Sequence, residues 1–386
     1  MPYEKERSKK LRVMRVLPDL GNGGLQCATL DFLDHCPPNI EVSVAAVVNG
    51  GCHQKEFEAR CATVIVGHEA GDPFRSYLWF DPARILRLAQ AMRKLRPDVV
   101  QTHTFPAAVV GKSAAKIAGV PVIVDVLHNT YTWKQQKDLR IDRWLSRITD
   151  RIVCSSYAVR DFAIEQNPDI PASKYEVIYD GVDTTRYYPR REREETLRRF
   201  NIDPKKRVIG SVSRLVKQKR VTDLISAAPD ILRQFPHAHF LVAGEGPVLN
   251  QLIEQAHKAE LENFFTFTGL VRDTENIYAA FDVFAQTAER EGFGLSMSEA
   301  MASGIAVVAA RAGAVPEIVQ DMHNGLLYEP GDVSALATGI CALLKDDGVR
   351  KRLGAQAAKD IPSKFSFEVV PGQYEELWNR LLVART

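Results

Sequence analysis

No run of apolar residues in this 386-residue chain approaches the roughly 18 that a helical membrane span requires. The opening from Met1 to Arg12 is charged throughout and lacks the apolar stretch of a secretory signal, so the sequence predicts a protein that is neither exported nor inserted, and a cytoplasmic location. An excess of one charge is also missing. Fifty Lys and Arg stand against 48 Asp and Glu, a net charge of +2, which argues against a dedicated nucleic-acid binder and for small-molecule partners. Cysteine is sparse: Cys27, Cys36, Cys52, Cys61, Cys154 and Cys341 form no C-x-x-C pair or other metal-type spacing, which fits a reducing compartment. Two motifs are absent as well. No D-x-D occurs anywhere, and no G-x-G-x-x-G follows a strand pattern, which makes a nicotinamide-cofactor site a poor fit.

What is present is an ordinary globular composition, 45% apolar and 25% charged, at a length that exceeds a single core and points to two domains. Short β-branched runs alternate with longer amphipathic stretches, the pattern of βαβ units around a parallel sheet. A first series places strands at 12–17, 41–48, 62–66, 98–102, 120–126, 151–154 and 175–179. A second places them at 207–212, 239–243, 264–268, 283–285 and 306–309. The stretch 81–96 shows helix punctuation: Asp81 as cap, Pro82 in the first turn, Ile85, Leu88, Ala89, Met92 and Leu95 on one face, and Pro97 as the stop. The polar, turn-rich segment 180–193 interrupts the rhythm and reads as a linker. The expectation is an α/β protein of two doubly wound, Rossmann-like domains facing a cleft, at 1–183 and 184–364, with a closing helix in 365–386 that packs back on the first domain.

Ligands of open parallel sheets lie beyond the carboxyl ends of the strands, so the loops there are the first place to look for chemistry. Leu20-Gly21-Asn22-Gly23-Gly24 follows the first strand and enters a helix, an arrangement whose backbone amides can approach a phosphate. By itself it is equally a glycine turn. Ser213-Arg214-Leu215-Val216-Lys217-Gln218-Lys219-Arg220 follows the strand at 207–212 with four cations, where Arg214 can grip phosphate oxygens in bidentate fashion and Lys219 adds a point charge. In 289–304, Glu291 and Glu299 lie eight apart across a glycine turn and a helix start. Glu291 would stand near a reacting group, the amides of Phe293, Gly294, Leu295 and Ser296 would face a ligand at the positive helix end, and Glu299 would accept from ribose hydroxyls. His128 and His103 each end a strand, and strand-end histidines are candidates for function as well as for structure.

Together these loops resemble the retaining glycosyltransferases of the GT-B fold. The resemblance runs over nearly the whole chain and rests on residues in order: Gly23-Gly24, the run 98–103 ending in His103, Asp180-Gly181-Val182-Asp183, Ser213-Arg214-Leu215 with Lys219, Gly244-Glu245-Gly246-Pro247, Phe267-Thr268-Gly269, Glu291 with Glu299, and 312–317 with Gly313 and Glu317. It implies an enzyme that moves a hexose-type sugar from a nucleotide diphosphate donor to a glycan, lipid or small-molecule acceptor with retention of configuration. A UDP-sugar is favoured as donor, with GDP-mannose second. Arg214 and Lys219 are implied on the diphosphate, Glu299 on the ribose, Glu291 and His128 beside the transferred sugar, and Gly23, Gly24, Gly244, Val271, Arg272 and 293–296 around the donor. Gln26 and His103 are expected toward the acceptor or behind the first contacts. No metal or other cofactor is expected, because protein cations and helix ends would carry the leaving-group charge.

Four positions depart from the pattern: Gln26 for an acid, Arg220 for a glycine, Ala314 for a second glycine, and Asp180 for an asparagine. The same residues also suit a sugar-nucleotide epimerase or hydrolase, or a catalytically silent sugar-nucleotide binder. Spacing alone leaves a glycosidase pair of carboxylates open too. A helix expected at 132–151, bearing Trp133, Trp144 and several arginines, adds peripheral contact with the inner face of a membrane as an expectation.

Overall fold

The computed structural model describes residues 10–67, 81–130, 136–190 and 192–385. The chain divides into two compact units, one built from residues up to Asp180 together with those from Phe367 onward, the other from Gly181–Ser366.

In the first unit the chain runs through β1 (Leu11–Asp19), α1 (Gly24–Asp34), β2 (Ile40–Asn49), α2 (Gln54–Arg60), β3 (Thr63–Val66), α3 (Pro82–Leu95), β4 (Val99–His103), α4 (Phe105–Ala118), β5 (Val122–Leu127), α5 (Gln136–Ser146), β6 (Arg151–Cys154), α6 (Tyr157–Gln166) and β7 (Tyr175–Val177). The described strands form one parallel sheet in the order β3-β2-β1-β4-β5-β6-β7. Strand order therefore reverses between β1 and β4, where Val13 to Val16 pair with Val99 to Thr102. That reversal opens a crevice at the carboxyl edge. Helix α3 starts as its punctuation predicts, with the Asp81 carboxylate accepting from the Ala83 amide at 2.9 Å and Pro82 in the first turn.

The second unit contains α7 (Arg193–Arg199), β8 (Arg207–Val212), α8 (Val221–Gln234), β9 (Ala238–Ala243), α9 (Leu249–Lys258), β10 (Phe265–Phe267), α10 (Thr274–Tyr278), β11 (Val283–Gln286), α11 (Leu295–Ala302), β12 (Ala306–Ala310), α12 (Val315–Ile318), β13 (Leu326–Tyr328), α13 (Val333–Lys345) and α14 (Asp347–Phe365). Its sheet order is β10-β9-β8-β11-β12-β13, so the reversal falls between β8 and β11. Strand β13 has no counterpart in the sequence reading, because three residues are too few to show a period.

Each sheet is buried on both faces, which is why its strands read as nearly continuous Val, Ile and Ala runs. In the first unit one side of the core includes Val13, Leu17, Val99 and Val124, closed by α15 (Val370–Val383). Helix α15 presents Val370, Tyr374, Leu377, Trp378 and Leu381 at helical spacing, and Trp378 is fully buried. Burial of each such side chain contributes on the order of 1.5–3 kcal/mol. The helix expected at 132–151 is described from Gln136 to Ser146; Trp133 lies outside the described residues. Leu145 of α5 is buried, whereas Trp144 is 57% exposed. Among the described residues, no helix is long and apolar enough to cross a membrane.

Candidate active site

The strand reversal of the second unit brings together two loops that the sequence keeps 72 residues apart. Lys219, in the turn after β8, donates from Nζ to Glu291 Oε2 at 2.6 Å, and Glu291 sits in the loop after β11. Gln286, the last residue of β11, donates from Nε2 to the same oxygen at 2.8 Å, and Thr287 Oγ1 donates to the Lys219 carbonyl at 2.6 Å. One carboxylate oxygen thus receives an ammonium and an amide, which locks the Glu291 side chain in a single orientation. Its backbone is locked as well, since the Ala314 amide donates to the Glu291 carbonyl at 3.0 Å. Gly313, at φ +53°, lies so close that a Cβ there would come within 2.0 Å of that carbonyl oxygen. This accounts for the glycine of the 312–317 motif. Ala314 has φ −76°, a conformation open to any residue, so alanine in place of the family's second glycine costs nothing in backbone strain.

Helix α11 begins directly after this loop. Its N-cap is Gly294 in the left-handed region, with no side chain capping the first amides, and no acidic side chain in the first turn. Leu295 and Ser296 are half-buried there, at the positive end of the helix. Phe293 points the other way: its ring is buried and meets Phe365 edge-on at 5.6 Å, so any contact it makes with a ligand is through its backbone. Glu299, one turn further on, accepts a 2.6 Å hydrogen bond from the buried Tyr278 hydroxyl of α10. Burial pushes the Glu299 carboxyl above its usual range, opposed by that hydrogen bond and by the Arg186 guanidinium.

Arg214 is exposed at the same edge and makes no ion pair with any described residue. The β8, β9 and β10 loops pack backbone to backbone beside it. A Cβ on Gly244, at φ +136°, would strike the Ser213 carbonyl oxygen at 1.9 Å, and the Gly244 amide donates to the Gly269 carbonyl. Val271 is buried and Arg272 exposed, with the Arg272 carbonyl accepting from Arg186 at 3.4 Å. Arg220 adopts the left-handed conformation, φ 49°, in spite of its side chain. A two-point contact with Asp223, at 2.8 and 3.1 Å, offsets the cost.

In the first unit the glycine loop is occupied by its own side chains. Asp19 Oδ1 accepts from the Gly21 amide at 2.8 Å and from Gln26 Nε2 at 2.8 Å. Gly23 is the N-cap of α1 and Gly24 its first residue, and a Cβ on Gly23 would come within 2.5 Å of Gln26 Oε1. Gln26 is 7% exposed, so it braces this loop instead of presenting itself to a ligand.

The two histidines are joined. Gln101 Nε2 lies 3.1 Å from His103 Nε2, His103 Nδ1 lies 3.0 Å from His128 Nε2, and His128 Nδ1 lies 3.3 Å from Asp180 Oδ2. The rings stack at 5.3 Å and 16°. Burial, with the Arg15 guanidinium and the His128 ring beside it, holds His103 well below the usual imidazole value, so it carries one N–H. A carboxylate at 180 calls for His128 Nδ1–H. Donation then runs one way, from the Gln101 amide to His103, from His103 Nδ1–H to His128 Nε2, and from His128 Nδ1–H to Asp180. Asparagine at 180 would offer a neutral acceptor in place of the charged one.

The structure adds Gln286, Tyr278, Gln101 and Asp19 to the residues read from sequence. Gln286 ends β11, where the same positional rule applies to it, whereas Gln101 lies in the middle of β4 and reaches His103 from two positions earlier. Tyr278 reaches Glu299 from a helix 21 positions earlier, and nothing local marks it.

Comparison with known proteins matches the description "Glycosyl transferases group 1" over residues 192–360 and "Glycosyltransferase Family 4" over residues 23–186. The chain is 25% identical to N-acetyl-alpha-D-glucosaminyl L-malate synthase of Bacillus anthracis, over 78% of this chain and 80% of that protein. It is 30% identical to sulfoquinovosyl transferase SQD2 of Arabidopsis thaliana, over 73% of this chain and 56% of that one. Among solved structures, Anabaena Alr3699/HepE in complex with UDP and glucose superposes with a TM-score of 0.84 at 25% identity, covering 95% of this chain and 99% of the other. On these matches and on its two parallel-sheet units, the chain belongs to the group 1 glycosyl transferases and is a nucleotide-sugar glycosyltransferase of the GT-B fold.

Proposed function

We propose that this enzyme is a retaining, metal-independent hexosyltransferase, with a UDP-sugar as donor ahead of GDP-mannose. The observation that carries the reading is the set of groups at the β8/β11 reversal: an exposed Arg214 guanidinium without an ion pair among the described residues, the Lys219 ammonium on Glu291, and the open N-terminus of α11. Three sources of positive potential converge on one carboxyl edge, which suits the charge that develops on a departing diphosphate. A group already carrying fixed cations has less need of a metal ion to neutralise it.

In this reading Arg214 and Lys219 hold the diphosphate, and Glu299 accepts from the ribose hydroxyls. The glycosidic bond to the phosphate oxygen breaks while the acceptor oxygen approaches on the same face. The departing phosphate oxygen takes the acceptor's proton, so configuration is kept without a separate base. Glu291, held by Lys219 and Gln286, places negative charge near the sugar carbon as it becomes cationic. The resemblance assigns His128 to the transferred sugar as well. UDP and glucose in Anabaena Alr3699/HepE support the uridine choice, and a GDP-mannose-dependent mannosyltransferase of Mycobacterium tuberculosis, 31% identical over 52% of this chain, supports the second. For a lipid acceptor, exposed Arg140 and Trp144 on α5 and Arg147 just after it support contact with an anionic membrane surface.

The test is calorimetry with UDP, GDP and ADP in the presence of a chelator, on wild type and Arg214→Ala, followed by NMR of the product anomer. One diphosphate should bind without metal and weaken about 10- to 100-fold in the variant, as loss of a charge-assisted hydrogen bond predicts. Binding only with added magnesium, or an inverted anomer, would refute the reading.

A further inference from the structure

A pocket of about 90 Å³ in the first unit is lined by residues of α4, α5 and α6 and reaches His128 and Asn129 after β5. One water needs only about 10–15 Å³ of such space, so a single bridging water does not fill it. Much of its wall is apolar, with Phe105, Leu139 and Phe162 among the lining residues.

Among the described residues, two that line it carry a buried polar atom without a partner. Asn167 is 4% exposed and its Oδ1 accepts nothing; the Thr104 hydroxyl is likewise buried and unbonded. Buried polar atoms are nearly always paired, so two orphans among the residues lining one cavity call for an explanation. Thr104 carries a second signal. Its backbone lies at φ 68°, ψ 160°, a region that is nearly glycine-only and especially unfavourable for a β-branched residue. The hydroxyl does not repay that strain by capping α4, since no side-chain cap bond forms there. Strain of this kind persists where a site needs a side chain that glycine cannot supply.

The floor defines the ligand's charge. Lys112, 1% exposed, donates to Asp125 at 2.7 Å and lies 3.9 Å from Asp142, so among the described lining residues the one ammonium is already engaged by carboxylates and is not left for an anion. We propose that this cavity is a subsite for the acceptor, taking an uncharged apolar segment that bears a hydroxyl, with the hydroxyl between Thr104 and Asn167. The assignment to the acceptor rests on the reading above that His128 flanks the transferred sugar.

The experiment uses the whole chain with 1-hexanol, hexanoate and hexylammonium as probes, read by saturation-transfer NMR, and nucleotide binding measured in parallel by calorimetry. The variants are Ala163→Leu, which fills the cavity, and Thr104→Gly, which removes the hydroxyl and relieves the backbone. 1-Hexanol is expected to bind, and hexanoate and hexylammonium not to. Affinity for hexanol should fall about tenfold in Ala163→Leu and about threefold in Thr104→Gly, consistent with a lost packing volume and a lost neutral hydrogen bond. Thr104→Gly should also raise Tm by about 2–4 °C, which keeps the test open should Ala163→Leu fail to fold. Equal binding of hexanoate and hexanol, or hexanol binding unchanged in a folded variant, would overturn the proposal. Absence of hexanol binding with nucleotide binding intact overturns the cavity alone. Hexanol binding that follows the expected variant pattern, with no nucleotide bound, supports the subsite and counts against the donor reading instead.

Discussion

The carboxyl edges of the two sheets differ in how they hold their polar groups. In the second unit the groups are charged and in part open: Lys219 and Glu291 are paired at 2.6 Å, Arg214 is exposed, and the first amides of α11 are uncapped. In the first unit the groups around the histidines are joined to one another, from Gln101 through His103 and His128 to Asp180, with His103 kept neutral by burial. Even its glycine loop is filled by Asp19 and Gln26. An edge built from fixed charges suits a ligand whose charge grows during reaction. A relay of hydrogen bonds suits a partner that must be oriented without being charged. Both edges arise from one topology, so the difference lies in the side chains that each strand end carries.

The largest test of this contrast is Lys219→Ala. Under the proposed function it removes a cation at the leaving group and leaves Glu291 without its charged partner, and kcat should fall about 10²- to 10³-fold in steady-state assays with the identified donor. A loss of less than about fivefold would place the leaving-group charge elsewhere.

Next comes acid stability, to which each unit contributes a buried neutral histidine. In the second, His239 donates from Nε2 to Thr266 at 2.8 Å, while Nδ1 accepts from Lys206 at 3.3 Å; burial and the Lys206 charge bring its pKa down to about 4. The unfolded chain takes up this proton below about pH 6.5 and the folded unit only near 4, so stability is complete above 6.5 and lost as pH falls between those limits. The loss from His239 reaches about 3 kcal/mol at the acid end. Urea melts of His239→Gln at pH 7 and pH 5 should show a shallower dependence than wild type. An unchanged slope would mean that His239 is already charged in the fold.

Asp180→Asn probes the first unit directly. The amide oxygen still accepts from His128 Nδ1–H, so only the charge is lost, and kcat should fall about three- to tenfold, far less than for Lys219→Ala. A loss equal to that of Lys219→Ala would show that the relay works through its terminal charge, and the contrast between the edges would fail.

The smallest effect is expected for Arg220→Gly. It relieves the left-handed residue and removes the contact with Asp223, two changes that oppose each other, so denaturant melts should differ from wild type by under about 1 kcal/mol.

Much of this arrangement was legible along the chain. The βαβ rhythm, the two series of strands, the cap and stop of α3 and the loops carrying His128, Arg214, Lys219, Glu291 and Glu299 all follow from local pattern, because apolar periodicity and turn chemistry act over a few residues. The sequence alone also determined that any ligand would meet the ends of those strands. Other features were decided by tertiary structure. Strand order at each reversal is a choice among pairings of similar local energy, and it is what brings Lys219 to Glu291. The chain from Gln101 to Asp180, the Tyr278 contact with Glu299, and Asp19 filling the glycine loop depend on side chains meeting across elements, which a one-dimensional pattern does not encode. The same holds for Thr104: its residue type is ordinary, and only the packing of β4 onto α4 sets its backbone where glycine would be expected, because distant contacts there outweigh local preference.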